Sequence, residues 1–523
     1  MDNAVKTLDS EKEFNIIHKD NISVRETRSE NDDGSFKEHK INKRFVLFKI
    51  DLFVLSFVCL QYWINYVDRV GFTNAYVSGM KEDLNMTGND ISITNTCFTV
   101  GYVVGMLPNN LMLLIVPPRL WLSFCTFSWG LLTLGMYKVT SYQQCCVIRF
   151  FQALFESCTF SGTHLILGSW YKENELPIRS AIFTSSGLIG STFSGFMQVA
   201  IHKSLNGRQG LPGWRWLFII DFCITIPIAL YGLIFFPGVP DKSSINSKFS
   251  MTKVIFTKEE LQYARRRLPA RDESTKLDWS VVPRVLRRWH WWLFSFVWVL
   301  GGENLSFASN GLFALWLKDR NYSLSNRNNF PSGIYAVGIV STFAAAFYLS
   351  KIKRSRHWHV AIVIAVVMCA VAIMIRIDPL NEALMFTAQY LGGVAYAGQA
   401  VFFAWANVVC HDDLQERAIV LASMNMFSGA VNAWWSLLFY AANTVPHFRK
   451  GCYALIATSV SSGIVSILIR KFQIRELNQK RQMPYVDAND MIVEDHNEEE
   501  EDDDEDLENV FRDRYTEESS QVI

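Results

Sequence analysis

The sequence predicts an all-α membrane protein, with twelve transmembrane helices arranged as two six-helix bundles. Three observations predict it. Half of the 523 residues are apolar and only 19% are charged, below the roughly 25% of ordinary soluble domains. The charges are segregated, with polar stretches at 1–49 and 471–523 and a strongly charged stretch at 241–290. Between them lie apolar runs close to the ~20 residues that cross a hydrocarbon core. Together these exclude a soluble enzyme, a nucleic-acid binder and a secreted disulfide scaffold.

Spans are expected at about 51–78, 91–115, 120–139, 143–170, 178–201, 215–236, 291–317, 330–350, 359–376, 382–409, 418–442 and 452–470. Six precede the charged stretch and six follow it. Six plus six around a polar central loop is the layout of the major facilitator transporters. The expected organisation is a mostly disordered cytosolic tail at 1–49, a first bundle at 50–240 and a cytosolic central loop at 241–290 with a short surface helix. A second bundle follows at 291–470, then a mostly disordered acidic tail at 471–523. Fifteen residues from Glu494 to Glu508 carry twelve acids, so the formal net charge of zero hides a basic remainder. Such a tail reads as a solvating segment.

An even number of spans puts both termini on one side. Loops on that side hold 20 Lys and Arg and the opposite loops ten, so both termini are expected in the cytosol. The triplets Asn85-Met86-Thr87 and Asn321-Tyr322-Ser323 fall in outer loops, which makes Asn85 and Asn321 candidate glycosylation sites. No signal peptide precedes the first span, which is then the targeting signal. The ten cysteines lie in or beside apolar runs without metal-type spacing. They read as small buried hydrophobes, and no metal is expected. The fifth span carries two stripes of small residues, Ser186, Gly190, Ser194 and Gly187, Ser191, Gly195, and the second span has Gly101 and Gly105. Small side chains let helix backbones approach closely.

The informative residues are charges where lipid should be. A charge at mid-bilayer costs roughly 2.5–3.5 kcal/mol on insertion scales, so it must face a partner or a wet cavity. The first span holds Asp68-Arg69, the fourth Arg149, Glu156 and His164, and the seventh Glu303. Arg149 and Glu156 are two helical turns apart with Gln152 between them. His164 is rotated by roughly 80° but stays near that face. An arginine fork suits a carboxylate, a desolvated glutamate can take up and release a proton, and a histidine titrates near neutrality. The alternative is an internal salt-bridge cluster that only holds helices together. Glu303 could instead cap a helix break at Gly301-Gly302.

These residues carry a resemblance. Asn65-Tyr66-Val67-Asp68-Arg69 with Asn74-Ala75 resembles the first-helix signature of the anion:cation symporter family, fungal allantoate-permease branch. Arg149-Phe150-Phe151-Gln152-Ala153-Leu154-Phe155-Glu156, then Trp170-Tyr171-Lys172, Glu175 and Arg179, resembles its fourth helix and the loop after it. Gly213-Trp214-Arg215-Trp216 resembles the entry to the sixth helix, and Trp405-Ala406-Asn407 with Arg417 the tenth-helix region. The likeness covers roughly 50–475. There are departures. Asp221 stands where Glu is commoner, Ser161-Gly162 replaces a Pro-Gly kink, and Val116-Pro117-Pro118-Arg119 lacks the superfamily's acidic gating motif.

The resemblance implies a proton-coupled symporter of a small organic anion, a carboxylate or vitamin-related compound such as allantoate, nicotinate, pantothenate or biotin. The thiamine pathway is one candidate setting. In this reading Arg149, Arg69 and Gln152 bind substrate, Glu156, His164 and Asp68 couple the proton, and Glu303 is a gating or site residue. The proton gradient is the energy source, with no cofactor. A monomer in the plasma membrane or endoplasmic reticulum membrane is expected. A transport-like nutrient sensor without net flux and a passive facilitator stay open as alternatives.

Overall fold

The computed structural model describes residues 42–87, 90–240, 252–268, 281–309, 312–322, 326, 330–351, 356–440 and 447–482. Most of the N-terminal tail and the acidic run fall outside the described residues. The chain divides into two compact units, Met1–Lys471 and Phe472–Ile523. Apart from the end of the last helix, which runs on to Gln482, all that follows concerns the first.

The first span is Lys43–Ile50, Ser56–Ala75 and two π-helical turns, Asp51–Leu55 and Tyr76–Met80. The next five are Asp90–Ile115, Pro118–Gly135, Tyr142–Glu156 with Cys158–Trp170, Leu176–Leu205 and Gly213–Phe235. The seventh is Trp289–Ser309, with Leu312–Asp319 beyond it. The eighth to twelfth are Ser332–Lys351, His357–Ile377, Glu382–Gly392 with Ala395–Val409, Leu414–Phe439 and Arg449–Gln482. Among the described helices, seven are apolar and long enough to cross a membrane by composition alone: spans one, two, three, six, eight, nine and twelve. The rest are interrupted or rich in small and polar residues, which suits helices that face protein on several sides.

Within the first half, spans one and five, two and four, and three and six pack as pairs; seven pairs with eleven, and eight with ten. The halves meet where span two lies on eleven and span five on eight. Exchanging the halves exchanges those two contacts. The two bundles therefore share one internal plan.

Glycines set the closest approaches. A Cβ at Gly101 would collide with the Phe150 carbonyl, at Gly105 with Leu154 and Ser157, and at Gly190 with the Trp63 carbonyl. The Ser194 hydroxyl donates to the Val67 carbonyl at 3.2 Å. The expected tight seam of span five is thus its packing on span one. Gly195 departs from that expectation, since a Cβ there would meet nothing within 4 Å.

Helix breaks also differ from expectation. The fourth span, expected to be continuous over 143–170, is interrupted at Ser157, while Ser161-Gly162, lacking the proline, lies inside an unbroken helix. The cause is a side chain from span two. Asn109 donates to the Leu154 carbonyl at 2.7 Å and to Ser157 Oγ at 2.9 Å, giving that carbonyl a partner outside its own helix. The seventh span runs unbroken through Gly301-Gly302, so Glu303 caps no break. The tenth span, expected to be continuous, is interrupted after Gly392.

Charged side chains knit the end of the first bundle that carries the termini. Asp51 receives Tyr171 Oη at 2.8 Å and the Arg179 guanidinium at 3.2 and 3.0 Å. The expected surface helix of the central loop is Lys258–Arg266, started by a reciprocal Thr257–Glu260 cap. Its Glu260 pairs with Lys49, and Arg267 pairs with Glu175. At the same end Arg417 of span eleven donates to the Gly168 carbonyl and Ser169 Oγ of span four, at 3.1 and 2.9 Å. This joins the two bundles at the end that carries the termini.

Candidate functional site

The first span places Asn65, Asp68 and Arg69 on neighbouring turns, and the fourth places Arg149, Gln152 and Glu156. Glu156 is fully buried. Its Oε2 accepts the Asn65 amide at 2.8 Å and Arg69 Nε at 3.3 Å, and its Oε1 has no partner. The fourth-span carboxylate is therefore paired across to the first span, not along its own helix to Arg149. Asn65 stood in the recognised motif, but nothing in its spacing announced a bond to Glu156.

Arg149 is 4% exposed. Its guanidinium lies between two rings, 4.6 Å from the centroid of Phe72 and 4.1 Å from that of Phe98. One amino group donates to Gln152 Oε1 at 3.4 Å, and Nε has no partner. Gln152 in turn donates to Thr133 Oγ1 at 3.2 Å. Arg69 stacks on Tyr102 at 4.4 Å and also lies over Phe98 and Tyr66. The two arginines thus share the Phe98 ring. Aromatic faces hold a cation without neutralising it, so the rings orient both guanidinium groups, of which Arg69 already pairs with Glu156.

Asp68 does not pair with Arg69. Both of its oxygens are buried, with the Trp129 indole and the Asp221 carboxyl beside them, and Glu156 and Arg149 are the other charged groups near enough to act on it. Asp221, on the sixth span, points at Gly71, one turn on from Asp68; a Cβ there would stand 3.2 Å from Asp221 Oδ2. The sequence singled out Asp221 only as a departure from a pattern. The fold makes it the sixth span's contribution to the cluster.

His164 lies apart from these groups. Its ring nitrogens meet the Phe160 carbonyl at 3.1 Å and Ser180 Oγ at 3.0 Å, and the ring packs among Phe160, Phe183 and Phe403. Glu303 is also apart, in the second bundle, where Asn432 donates to its Oε2 at 3.3 Å. Asn85 and Asn321 both sit in left-handed backbone, at φ 48° and 57°.

One cluster was invisible in the sequence. His290, Cys410 and Glu416 are buried with their ligand-type atoms within 4.8 Å of one another. His290 Nδ1–H donates to Glu416 Oε1 at 2.8 Å, and Arg288 takes the other Glu416 oxygen. With a guanidinium already on the carboxylate, the arrangement is an ion-pair network at the start of spans seven and eleven.

Residues 58–436 match the model of the Major Facilitator Superfamily. The chain belongs to that superfamily. It is accordingly an integral multi-pass membrane protein, a transporter rather than an enzyme. It is 72% identical over 477 residues to the pantothenate transporter FEN2 of Saccharomyces cerevisiae, covering 91% of this chain and 93% of that one. It is 40% identical over 446 residues to the pantothenate transporter liz1 of Schizosaccharomyces pombe, covering 85% of each. A vitamin H transporter of S. cerevisiae is 29% identical over 84% of this chain and 74% of its own length. Among solved structures, the proton:xylose symporter XylE superposes with TM-score 0.62 over 82% of this chain and 96% of its own, at 11% identity. That likeness concerns the fold alone. The thiamine setting considered from the sequence is corrected by these relatives, two of which, including one at 72% identity, are named for pantothenate.

Proposed function

We propose that this protein is a proton-coupled symporter of pantothenate, of the anion:cation symporter type and its allantoate-permease branch. The observation that carries the substrate is the 72% identity to FEN2 across 91% of the chain. The site supports it chemically. Pantothenate carries one carboxylate, and Arg149 and Arg69 are held on aromatic faces close to one another. Arg149, Arg69 and Gln152 bind the carboxylate. Glu156 exchanges the proton, because a carboxylate that shares Arg69 with an incoming anion changes partner each time substrate arrives. Asp68 adjusts that exchange. His164 takes a modulating or packing part.

The loop charge bias supports cytosolic termini, with tails at 1–49 and 471–523 and a central loop at 241–290 around bundles at 50–240 and 291–470. The plasma membrane or the endoplasmic reticulum membrane is the site of action, the working unit is a monomer, and Asn85 and Asn321 are available for glycosylation on the outer side.

The test is uptake of labelled pantothenate into proteoliposomes holding the full-length protein, with an inward proton gradient imposed. Accumulation that collapses when the gradient is dissipated is the expected result. Equilibration without accumulation would make the protein a passive facilitator, and binding without flux would make it a sensor. Competition by thiamine but not by pantothenate would overturn the substrate.

A further inference from the structure

Glu303 is a buried carboxylate that the carboxylate-binding cluster does not use. It lies in the middle of the seventh span and is 0% exposed. Oε2 accepts the Asn432 amide at 3.3 Å, while Oε1 is buried with no partner. No cation among the described residues pairs with it. An ionised carboxylate is acceptor-only and offers about four lone-pair sites. Here one is filled. Leaving such a group without a donor is costly. Gly302 has no Cβ, so Ser428 of span eleven sits against the backbone there. Asn432 is one turn further along that helix. The Tyr440 hydroxyl donates to the Glu303 carbonyl at 3.2 Å and fixes the same seam.

The position relative to the first bundle completes the argument. Gly429, beside Ser428, faces Val103 of span two; a Cβ there would lie 3.5 Å from the valine methyl. Tyr102, the residue before Val103, carries the Arg69 guanidinium 4.4 Å from its ring centroid. Glu303 and Arg69 are thus joined through neighbouring residues of spans two and eleven, where the two bundles meet.

We propose that Glu303 and Asn432 form a second polar subsite, in the second bundle, that takes hydroxyl donors of a substrate whose carboxylate is held by the arginines of the first. The inference rests on the pantothenate reading and deepens it. The ligand class is a hydroxylated amide monocarboxylate, with an acceptor end for the guanidinium groups and a donor end for Glu303. The same carboxylate repels a second acidic group at that end. Selection then has two parts, attraction for hydroxyls and exclusion of dicarboxylates.

The experiment is equilibrium binding to the purified full-length protein, without a proton gradient. Three ligands are compared: pantothenate, its dideoxy analogue lacking both hydroxyls, and N-succinyl-β-alanine, an amide dicarboxylate. Wild-type protein is expected to prefer pantothenate over both. Glu303→Ala should weaken pantothenate binding on the order of 10-fold to 100-fold, to the level of the dideoxy analogue, and leave that analogue unchanged. Glu303→Gln, nearly the same shape and able to fold where alanine fails, should raise N-succinyl-β-alanine binding about 10-fold by removing the repulsion. A Glu303→Ala protein that still prefers pantothenate, or that loses both ligands equally, would overturn the subsite. So would a Glu303→Gln protein that still excludes the dicarboxylate. Wild-type protein that binds no pantothenate would instead overturn the substrate reading on which the subsite rests.

Discussion

The two bundles repeat one helix plan and differ in what they bury. The first holds Asp68, Arg149, Glu156 and Asp221 almost entirely out of solvent, with Arg69 leaning onto the same rings. The second holds Glu303 at its centre, partnered by an amide, and has buried His290, Glu416 and Arg417 toward one end, where the exposed Arg288 reaches Glu416. The same packing contacts could have been made with apolar side chains, often at no loss of stability. In the proposed function, the charges kept at that cost in the core of the first bundle are the ones assigned to the anion and the proton. In the proposed subsite, Glu303 of the other bundle takes the hydroxylated part of the substrate.

The sharpest way to break this comparison is at Glu156. Glu156→Gln keeps the shape and the Asn65 contact but cannot exchange a proton. Proton-driven accumulation should fall to equilibrium level while substrate exchange across the membrane persists. Full accumulation by this variant would remove Glu156 from coupling. Arg149→Ala comes next. A charge-assisted pair is worth about 1.5–3 kcal/mol, so binding of pantothenate should weaken by roughly 10-fold to 100-fold. Arg149→Lys should recover part of it, because the charge returns without the planar fork that fits between Phe72 and Phe98. Equal binding by wild type and Arg149→Ala would move carboxylate recognition to Arg69.

Much of the fold could be read from the sequence because lipid imposes one rule on every span. Apolar length located helices at all twelve expected positions, although the first begins at Lys43, eight residues early, and the last runs on to Gln482, twelve residues late. The breaks were not legible. The interruption at Ser157 depends on Asn109 reaching over from span two, and no local pattern at 157 encodes a neighbour's side chain. The site was legible by residue type and not by pairing. Arg149, Gln152 and Glu156 do share a helix face, yet Glu156 bonds to Asn65 and Arg69 because spans one and four cross at that level. Asp221 stayed hidden because the sixth span is otherwise so apolar that one carboxylate reads as a variation.

The glycine seams give the next largest effect, on stability. Gly101→Leu and Gly190→Leu should each lower stability by about 1–3 kcal/mol or more, since the added side chain meets carbonyl groups of Phe150 and Trp63 that cannot yield without moving a helix. Gly195→Leu, in the same stripe as Gly187, should be nearly silent, because open space lies beyond it. Thermal unfolding of the detergent-solubilised protein measures all three. A large loss at Gly195 would mean that the seam of span five is wider than its contact with span one.

The smallest effect is expected at His164, which is why it sharpens the comparison between a charged cluster and its surroundings. Both ring nitrogens are occupied by neutral groups, the Phe160 carbonyl and the Ser180 hydroxyl, and three aromatic rings enclose the rest. A coupling histidine needs a path to the proton acceptor. Here neither hydrogen bond ends on a carboxylate: one meets the Phe160 carbonyl of the same span and the other the Ser180 hydroxyl of span five. His164→Gln keeps a polar group within reach of Ser180 and removes the titrating ring. It should leave the pH profile of uptake in place and change the rate by less than about 10-fold, or 1.4 kcal/mol. A displaced pH profile would return His164 to the proton path and extend the working cluster along the whole fourth span.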